Sequence, residues 1–539
     1  MPSNSTGFKQ KRAAAPGSTL AGLMVEGGDA RLHLIRNTHL NGYGCQPWPR
    51  PQEISFSSTT ASTISQPAYF AADAAFQILS NSDSRRPLRH VFEELVEKVR
   101  QDIKALLELD AAAEVVLSPS GTDSELHALF LTNCALQKPI TSVIVVADET
   151  GSGVNLAASG RHFDSITSGG RRVVKGEPIV GLATQALSVS VSARNRNGHA
   201  RPRTEIDEDV HRCVAKAIDG GCGVALHVMD HSKTGVCHPS QECLLEIVST
   251  YRNSVQIIVD ACQTRLSQNR LKWYLDQECM ILVTGSKFFT GPPFSGALIV
   301  PGSISARMGQ VSKFPDGLAD YTSQFDWPRA WGAARSKLAT SMNLGQILRW
   351  IAAIEEMRTY FEVPELLRKI ALRESAAAIS RSIDRYSNLQ LLPAVNTPST
   401  NAEDADEFET QTIYPFLVMR GNRPFSLTES RILYRMLNED ISGLLRARGI
   451  TDRSELAAQL CHIGQPVAVS DGAGGFAGAL RLSVDARMVS RCWSNTGGFL
   501  GADKALQSFN QVRIVLDKLQ LLLEHFAKIK NEFDPSCSI

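Results

Sequence analysis

Seven short runs of β-branched and aliphatic residues, EVVLSP, SVIVVADE, ALSVSVSA, GVALHVMD, VQIIVDA, MILVTGS and GALIVP, succeed one another between residues 114 and 301. Several are separated by helical patterns such as DEDVHRCVAKAID and PSQECLLEIVSTYR. A strand that is apolar along its whole length, without alternation, has to be buried on both faces. Strands of that kind interleaved with helices predict an α/β layer architecture: a mainly parallel, seven-stranded-type sheet flanked by helices, over roughly residues 60–345.

Ahead of these runs, PLRHVFEELVEKVRQDIKALLELD places Leu88, Phe92, Leu95, Val99, Ile103 and Leu106 at three- and four-residue steps, the stripe of an amphipathic helix that needs a larger body to pack on. After them a helix over about Asn343–Arg358 leads into strand patterns TIYPFLV and ALRLSV mixed with helical ones, a smaller α+β C-terminal domain. The expected organisation is an N-terminal arm and substrate-side segment at 1–60, a large domain at 61–345 and a small domain at 346–539. The first 30 or so residues carry Ser, Ala, Gly, Lys and Arg without periodicity and read as a disordered or loosely docked arm, with a mitochondrial presequence as the alternative. NTPSTNAEDADEFET reads as an exposed loop.

A formal net charge of +1 over 539 residues argues against a nucleic-acid partner, which would require a large basic face. No apolar run approaches the roughly 20 residues that cross a bilayer, and the N-terminus lacks the apolar core of a secretory signal. A cytoplasmic location and a small-molecule substrate are expected. The eleven cysteines are odd in number and form no CxxC pair, and no HxxxH or HExxH occurs, so neither a disulfide framework nor a metal site is predicted.

The chemistry lies at strand ends. After EVVLSP, Ser120-Gly121-Thr122-Asp123 opens a helix whose N–H groups and hydroxyls point at one spot suited to a phosphate, although such a turn can also merely cap its helix. VQIIVDACQ ends in Asp260, a carboxylate at the edge of a buried strand that calls for a cationic partner, or else a structural ion pair. MILVTGSK brings Lys287 to the end of another apolar strand, either snorkelling to the surface or desolvated and nucleophilic toward carbonyls. Phosphate cradle, strand-end acid and strand-end lysine together suggest pyridoxal phosphate.

In these segments the chain resembles fold-type-I pyridoxal-phosphate enzymes of the class V aminotransferase and cysteine desulfurase group, over roughly residues 39–345 and more weakly to about 490. HLNGYGCQPWP resembles the family's Leu-Asn-x-Gly opening, which implies a substrate-side role for Asn41. SGTDSELHAL resembles the phosphate-binding turn, with Ser120, Gly121 and Thr122. DHSKTGVCHP resembles its Glu-Thr-Gly turn, with Lys233 where the Glu would be and His231 near the cofactor ring or simply a loop histidine. VDACQ implies a pyridinium contact for Asp260 and a bond to the cofactor's phenolic oxygen for Gln263. GSKFFTGPPFSGALIV resembles the lysine block, making Lys287 the Schiff-base residue and Ser286, in place of the usual His, a phosphate donor. KLATSMN implies that Thr340 reaches the phosphate of a second subunit, hence a homodimer with active sites at the interface. GALRLSVDA implies that Arg481 grips the substrate α-carboxylate. The residue stacking on the ring is expected just after SVIVVADE, where no ring occurs before His162, leaving Glu149 or Thr150.

The implied activity on an amino-acid-like substrate is that of an aminotransferase first. A lyase, decarboxylase or carbon–carbon bond-forming enzyme is the alternative, and a noncatalytic relative serving as a binding subunit is the alternative from another class. No Cys lies between Cys279 and Cys461, which disfavours persulfide chemistry, while CHIGQPV resembles a segment of some decarboxylases.

Overall fold

A computed structural model describes residues 18–35, 38–182, 187–195, 198–308, 311, 313–393, 406–471, 475–494 and 498–533. The first 17 residues of the expected arm and most of the expected exposed loop, 394–405, lie outside the described residues. The strands used below are β1 (Ile54–Phe56), β2 (Glu114–Ser118), β3 (Ile140–Val145), β4 (Leu187–Val191), β5 (Gly223–Met229), β6 (Val255–Asp260), β7 (Met280–Thr284), β8 (Gly296–Val300), β9 (Leu389–Leu391), β10 (Ile413–Arg420), β11 (Arg423–Pro424), β12 (Cys461–Ser470) and β13 (Phe476–Ser483).

The fold is α/β. Strands β2 to β8 make a seven-stranded sheet in the order β2-β8-β7-β6-β5-β3-β4. Only β8 runs antiparallel to its neighbours, β2 and β7. Successive residues of one strand serve opposite faces: Val115 and Leu117, Ile257 and Val259, and Ile281 and Val283 pack into one core, while Val116, Ile258 and Leu282 pack into another. That division explains the uninterrupted apolar runs, since each strand face requires its own oily lining.

The helices used below include α1 (Gln66–Ser80), α2 (Leu88–Leu106) and α3 (Gly121–Leu136). Helix α2 buries Phe92, Val99 and Ile103 of the expected stripe together with Val91 and Val96, while Leu88, Leu95 and Leu106 are only partly buried at its edge. In contrast, α3 is buried along Thr122–Thr132, polar residues included, and packs across β6, β7 and β8. The long helix α4 (Leu344–Phe361) is capped by Asn343, whose side chain accepts from the Gln346 N–H.

The second sheet runs β1-β12-β13-β10-β11, with β9 also on β10. Its edge strand β1 comes from inside the segment that the sequence set apart as residues 1–60, and pairs in parallel with Cys461–Ile463. Three residues are too few to show a periodicity. From β1 the chain runs directly as Ser57–Ile64, all buried, toward the large sheet. The N-terminal segment is fastened by buried Arg349 of α4, which donates to the carbonyls of Met24 and Glu26 at 3.2 and 2.7 Å and, through Nε, to Phe294 O at 3.0 Å. No described helix is long and apolar enough to cross a membrane.

Candidate active site

The parallel strands converge their carboxyl ends on one cleft, where open α/β sheets place their ligands. From these ends come the turn after β2, Glu149 and Thr150 after β3, His231 and Lys233 after β5, Asp260 closing β6, and Ser286 and Lys287 after β7. The N-terminal segment adds Arg31, Tyr43, Thr59 and Thr60. The cleft spans about 850 Å³ including the space open to solvent.

At one end stands the N-terminus of α3. Ser120 is its N-cap, accepting from the Asp123 N–H at 3.2 Å and donating to Asp123 Oδ2 at 2.5 Å. The N–H groups of Gly121 and Thr122 have no acceptor among the described residues, so the positive helix end faces the cleft. A side chain at position 121 would put its Cβ 2.3 Å from Cys262 Sγ; glycine is what lets the helix start this close to β6. Burial raises the Asp123 carboxyl to about 7, which weakens the negative charge beside that helix end.

Asp260 is buried and accepts from the Thr150 hydroxyl at 2.8 Å and the Cys262 N–H at 3.2 Å. None of the described ion pairs includes it, which leaves a buried carboxylate open to a cationic N–H from the cleft. Lys287 has no acid partner either. Its ammonium donates to the Thr60 carbonyl and lies 5.8 Å from the centre of the Tyr43 ring. Burial, aided by the nearby Arg481 guanidinium, lowers its amine to about 7. Gln263 donates through Nε2 to Thr59 O at 3.1 Å, while its buried Oε1 has no partner among the described residues.

Ser120, Gly121, Thr122, Asp260, Gln263, Ser286 and Lys287 therefore meet in the cleft, and Asn41, Thr340 and Arg481 do not line it. The Asn41 side chain is used within its own turn, accepting from the N–H groups of Tyr43 and Cys45 at 2.9 and 3.1 Å; its effect on the cleft is to present Tyr43. Arg481, on β13, stands next to the cleft but gives its donors to protein oxygens: Gln465 O at 2.9 and 2.6 Å, Lys233 O at 3.1 Å and Thr60 Oγ1 at 2.9 Å. The register of β12 shifts between Gly464 and Val467, and such a break leaves a carbonyl in need of a donor. Thr340 is exposed outside the cleft. His162 is held by Tyr321 at 2.7 Å and does not line the cleft, whereas Glu149 and Thr150 do.

Arg31, Tyr43 and Glu125 have no signal in the sequence. Arg31 is held by both oxygens of Asp29 and lies 5.8 and 5.4 Å from the Tyr43 and Phe294 ring centres. Glu125, on α3, is fully buried against His227 Nδ1 at 2.9 Å. Asp230, His231 and Cys237 gather ligand-type atoms within 4.8 Å of one another, a cluster that residue spacing did not predict. Asp230 is already matched there by Arg270 at 2.7 Å and the Tyr274 hydroxyl at 2.9 Å. Burial pulls the His231 imidazole down, but the Cys237 sulfur and the Asp230 carboxylate outweigh it and hold it up at about 10.

No protein-family model and no curated protein matches this sequence. Among solved structures the chain is similar to ureidoglycine-glyoxylate aminotransferase from Bacillus subtilis, at 11% identity and a TM-score of 0.49, covering 89% of this chain and 99% of that one. It is also similar to a variant of the cystine C–S lyase C-DES with glycine covalently linked to its PLP cofactor, at 13% identity and a TM-score of 0.49, covering 85% and 96%. A third is the glutamate decarboxylase domain of a diaminobutyrate-pyruvate transaminase and L-2,4-diaminobutyrate decarboxylase from Vibrio parahaemolyticus, at 14% identity and a TM-score of 0.44, covering 85% and 80%.

Proposed function

We propose that this protein is a pyridoxal-phosphate-dependent enzyme acting on an amino-acid-like substrate, an aminotransferase in the first place. One observation carries the reading: among the described residues, a buried carboxylate without a cation, a buried amine without an acid and a helix N-terminus whose first two N–H groups lack an acceptor face the same cleft. Each is costly on its own in a protein interior, and each matches one part of this cofactor.

The α3 N-terminus, with Ser120, Thr122 and Ser286, would hold the phosphate. Asp260, aimed by Thr150, would hold the ring nitrogen in its protonated form, and Lys287 would supply the amine for the cofactor aldehyde. When bound, the cofactor supplies an electron sink for the substrate Cα. An amine near 7 is free in about half the molecules at neutral pH, so Lys287 suits both attack on a carbonyl and proton transfer at Cα. With no ring after β3, the side chains available to cover the cofactor face are Thr150 and its neighbours.

In this reading the protein is a cytoplasmic homodimer, and Thr340, exposed away from its own cleft, contacts the phosphate of a second copy. Loss of the α-carboxylate is the second reading, because the donors of Arg481, the residue expected to grip that group, go to protein oxygens. The test is a single turnover with a panel of amino acids. Transamination predicts pyridoxamine phosphate and a 2-oxo acid in equal amounts, and decarboxylation predicts carbon dioxide and an amine. Neither product from any amino acid, with cofactor bound, contradicts both.

A further inference from the structure

We propose that Lys233 receives a second anionic group of the substrate, so that this cleft selects amino acids with an acidic side chain. The inference rests on the cofactor reading above and assigns its substrate class.

The argument is a matching of charges. Of the acids that line the cleft, Glu149 is held by Arg194 at 2.5 Å and by the Ser232 hydroxyl at 2.6 Å, and Glu125 by His227 at 2.9 Å. Asp260 belongs to the cofactor's ring nitrogen. Of the bases, Arg31 is held by Asp29, His231 by Asp230 at 2.7 Å, and Lys287 belongs to the cofactor's aldehyde. Lys233 is left over. It lines the cleft and is mostly buried, and its ammonium makes no hydrogen bond or ion pair with any described residue. Burial and the nearby Arg481 guanidinium lower its amine to about 8, which leaves it mainly charged at neutral pH.

Its backbone belongs to the network around the reactive amine. The Lys233 N–H donates to Glu149 O at 3.2 Å, and its carbonyl accepts from Arg481 at 3.1 Å. The same guanidinium bonds Thr60 Oγ1 at 2.9 Å, and the Thr60 carbonyl accepts from Lys287. Lys233 is thus tied to the reactive amine, whereas the phosphate turn lies at the start of α3. Around that amine stand three further cations, Arg31, Lys233 and Arg481, each of which depresses it. Arg31 already has Asp29, so one substrate α-carboxylate would match only one of Lys233 and Arg481; a side chain carrying a second carboxylate or comparable acid would match the other, with Lys233 as the cation that has no hydrogen bond or ion pair among the described residues.

The test is a spectral titration of the cofactor-loaded protein with L-aspartate and L-glutamate, each beside its amide, L-asparagine and L-glutamine. At least one acid should bind 10-fold or more tightly than its amide. In Lys233→Gln that preference should fall to near unity, and in Lys233→Arg it should persist. Equal binding of acid and amide by the wild type overturns the proposal, as does an equal loss for both in Lys233→Gln, which would place Lys233 on the α-carboxylate or in the scaffold. The cofactor band read before any amino acid is added separates the two levels. A normal band with no preference defeats this inference alone, whereas no band in the wild type defeats the cofactor reading and this inference with it.

Discussion

The hydroxyl of Thr150 donates to Asp260 Oδ2 at 2.8 Å, joining the loop after β3 to the last residue of β6. The bond fixes the rotamer of a buried carboxylate, and it comes from a loop, residues 148–153, that carries no aromatic side chain. Asp260→Asn should lower kcat/KM by about 100-fold or more, since it removes a fixed charge from a water-poor site. Thr150→Val should cost about 1 kcal/mol, up to roughly 10-fold, because only a neutral donor is lost and the carboxylate remains. Steady-state kinetics on the two variants checks the order of these effects.

The amine of Lys287 gives a pH prediction. Its value of about 7 lies below the usual lysine range because burial penalises the charged form. Below this pH the group is an ammonium and cannot attack; above it the amine is free. The rate of cofactor attachment to the apoprotein should rise through about pH 7 and level off, where a solvated lysine would still be climbing near 10. Stopped-flow absorbance over pH 5.5–10 at constant ionic strength measures it.

Gly121→Ala should weaken cofactor binding about 10-fold or more, since its methyl would meet Cys262 Sγ at 2.3 Å and push the helix start out of place. Cys262→Ala in the same chain should restore part of that loss. Equilibrium dialysis against the cofactor reads both.

Arg349 fastens the segment that carries Arg31 and Tyr43 over the cleft, and no acid among the described residues partners it. Arg349→Leu leaves several buried carbonyls without a donor and should destabilise the protein by about 3 kcal/mol. The midpoint of urea unfolding, with its slope, tests this.

Much of this arrangement is legible in the residues themselves. The large sheet is, because strands buried on two faces have no polar positions to hide; Asp260 and Lys287 stand out as charges at the ends of such strands. The Ser120–Thr122 turn is readable from helix-cap chemistry. Arg31 and Tyr43 were not visible, as they lie in irregular chain whose placement depends on Arg349, more than 300 residues away. The use of Arg481 depended on a break in the β12 register, which no local pattern announces. Asn41 was implied by the resemblance of HLNGYGCQPWP alone, and in the structure its side chain is used within its own turn. Lys233 stands out in the sequence as a departure from a motif, but whether its ammonium has a partner depends on side chains from several separate segments, which no local pattern announces.

The central claim, that Lys287 carries pyridoxal phosphate in this cleft, is tested most directly by borohydride reduction of the cofactor-loaded protein followed by peptide mass spectrometry. The account predicts a near-visible absorbance band that disappears on reduction, and one phosphopyridoxyl adduct located on Lys287 and missing from Lys287→Ala. An unmodified Lys287, or an adduct spread over surface lysines with no such band, would contradict it.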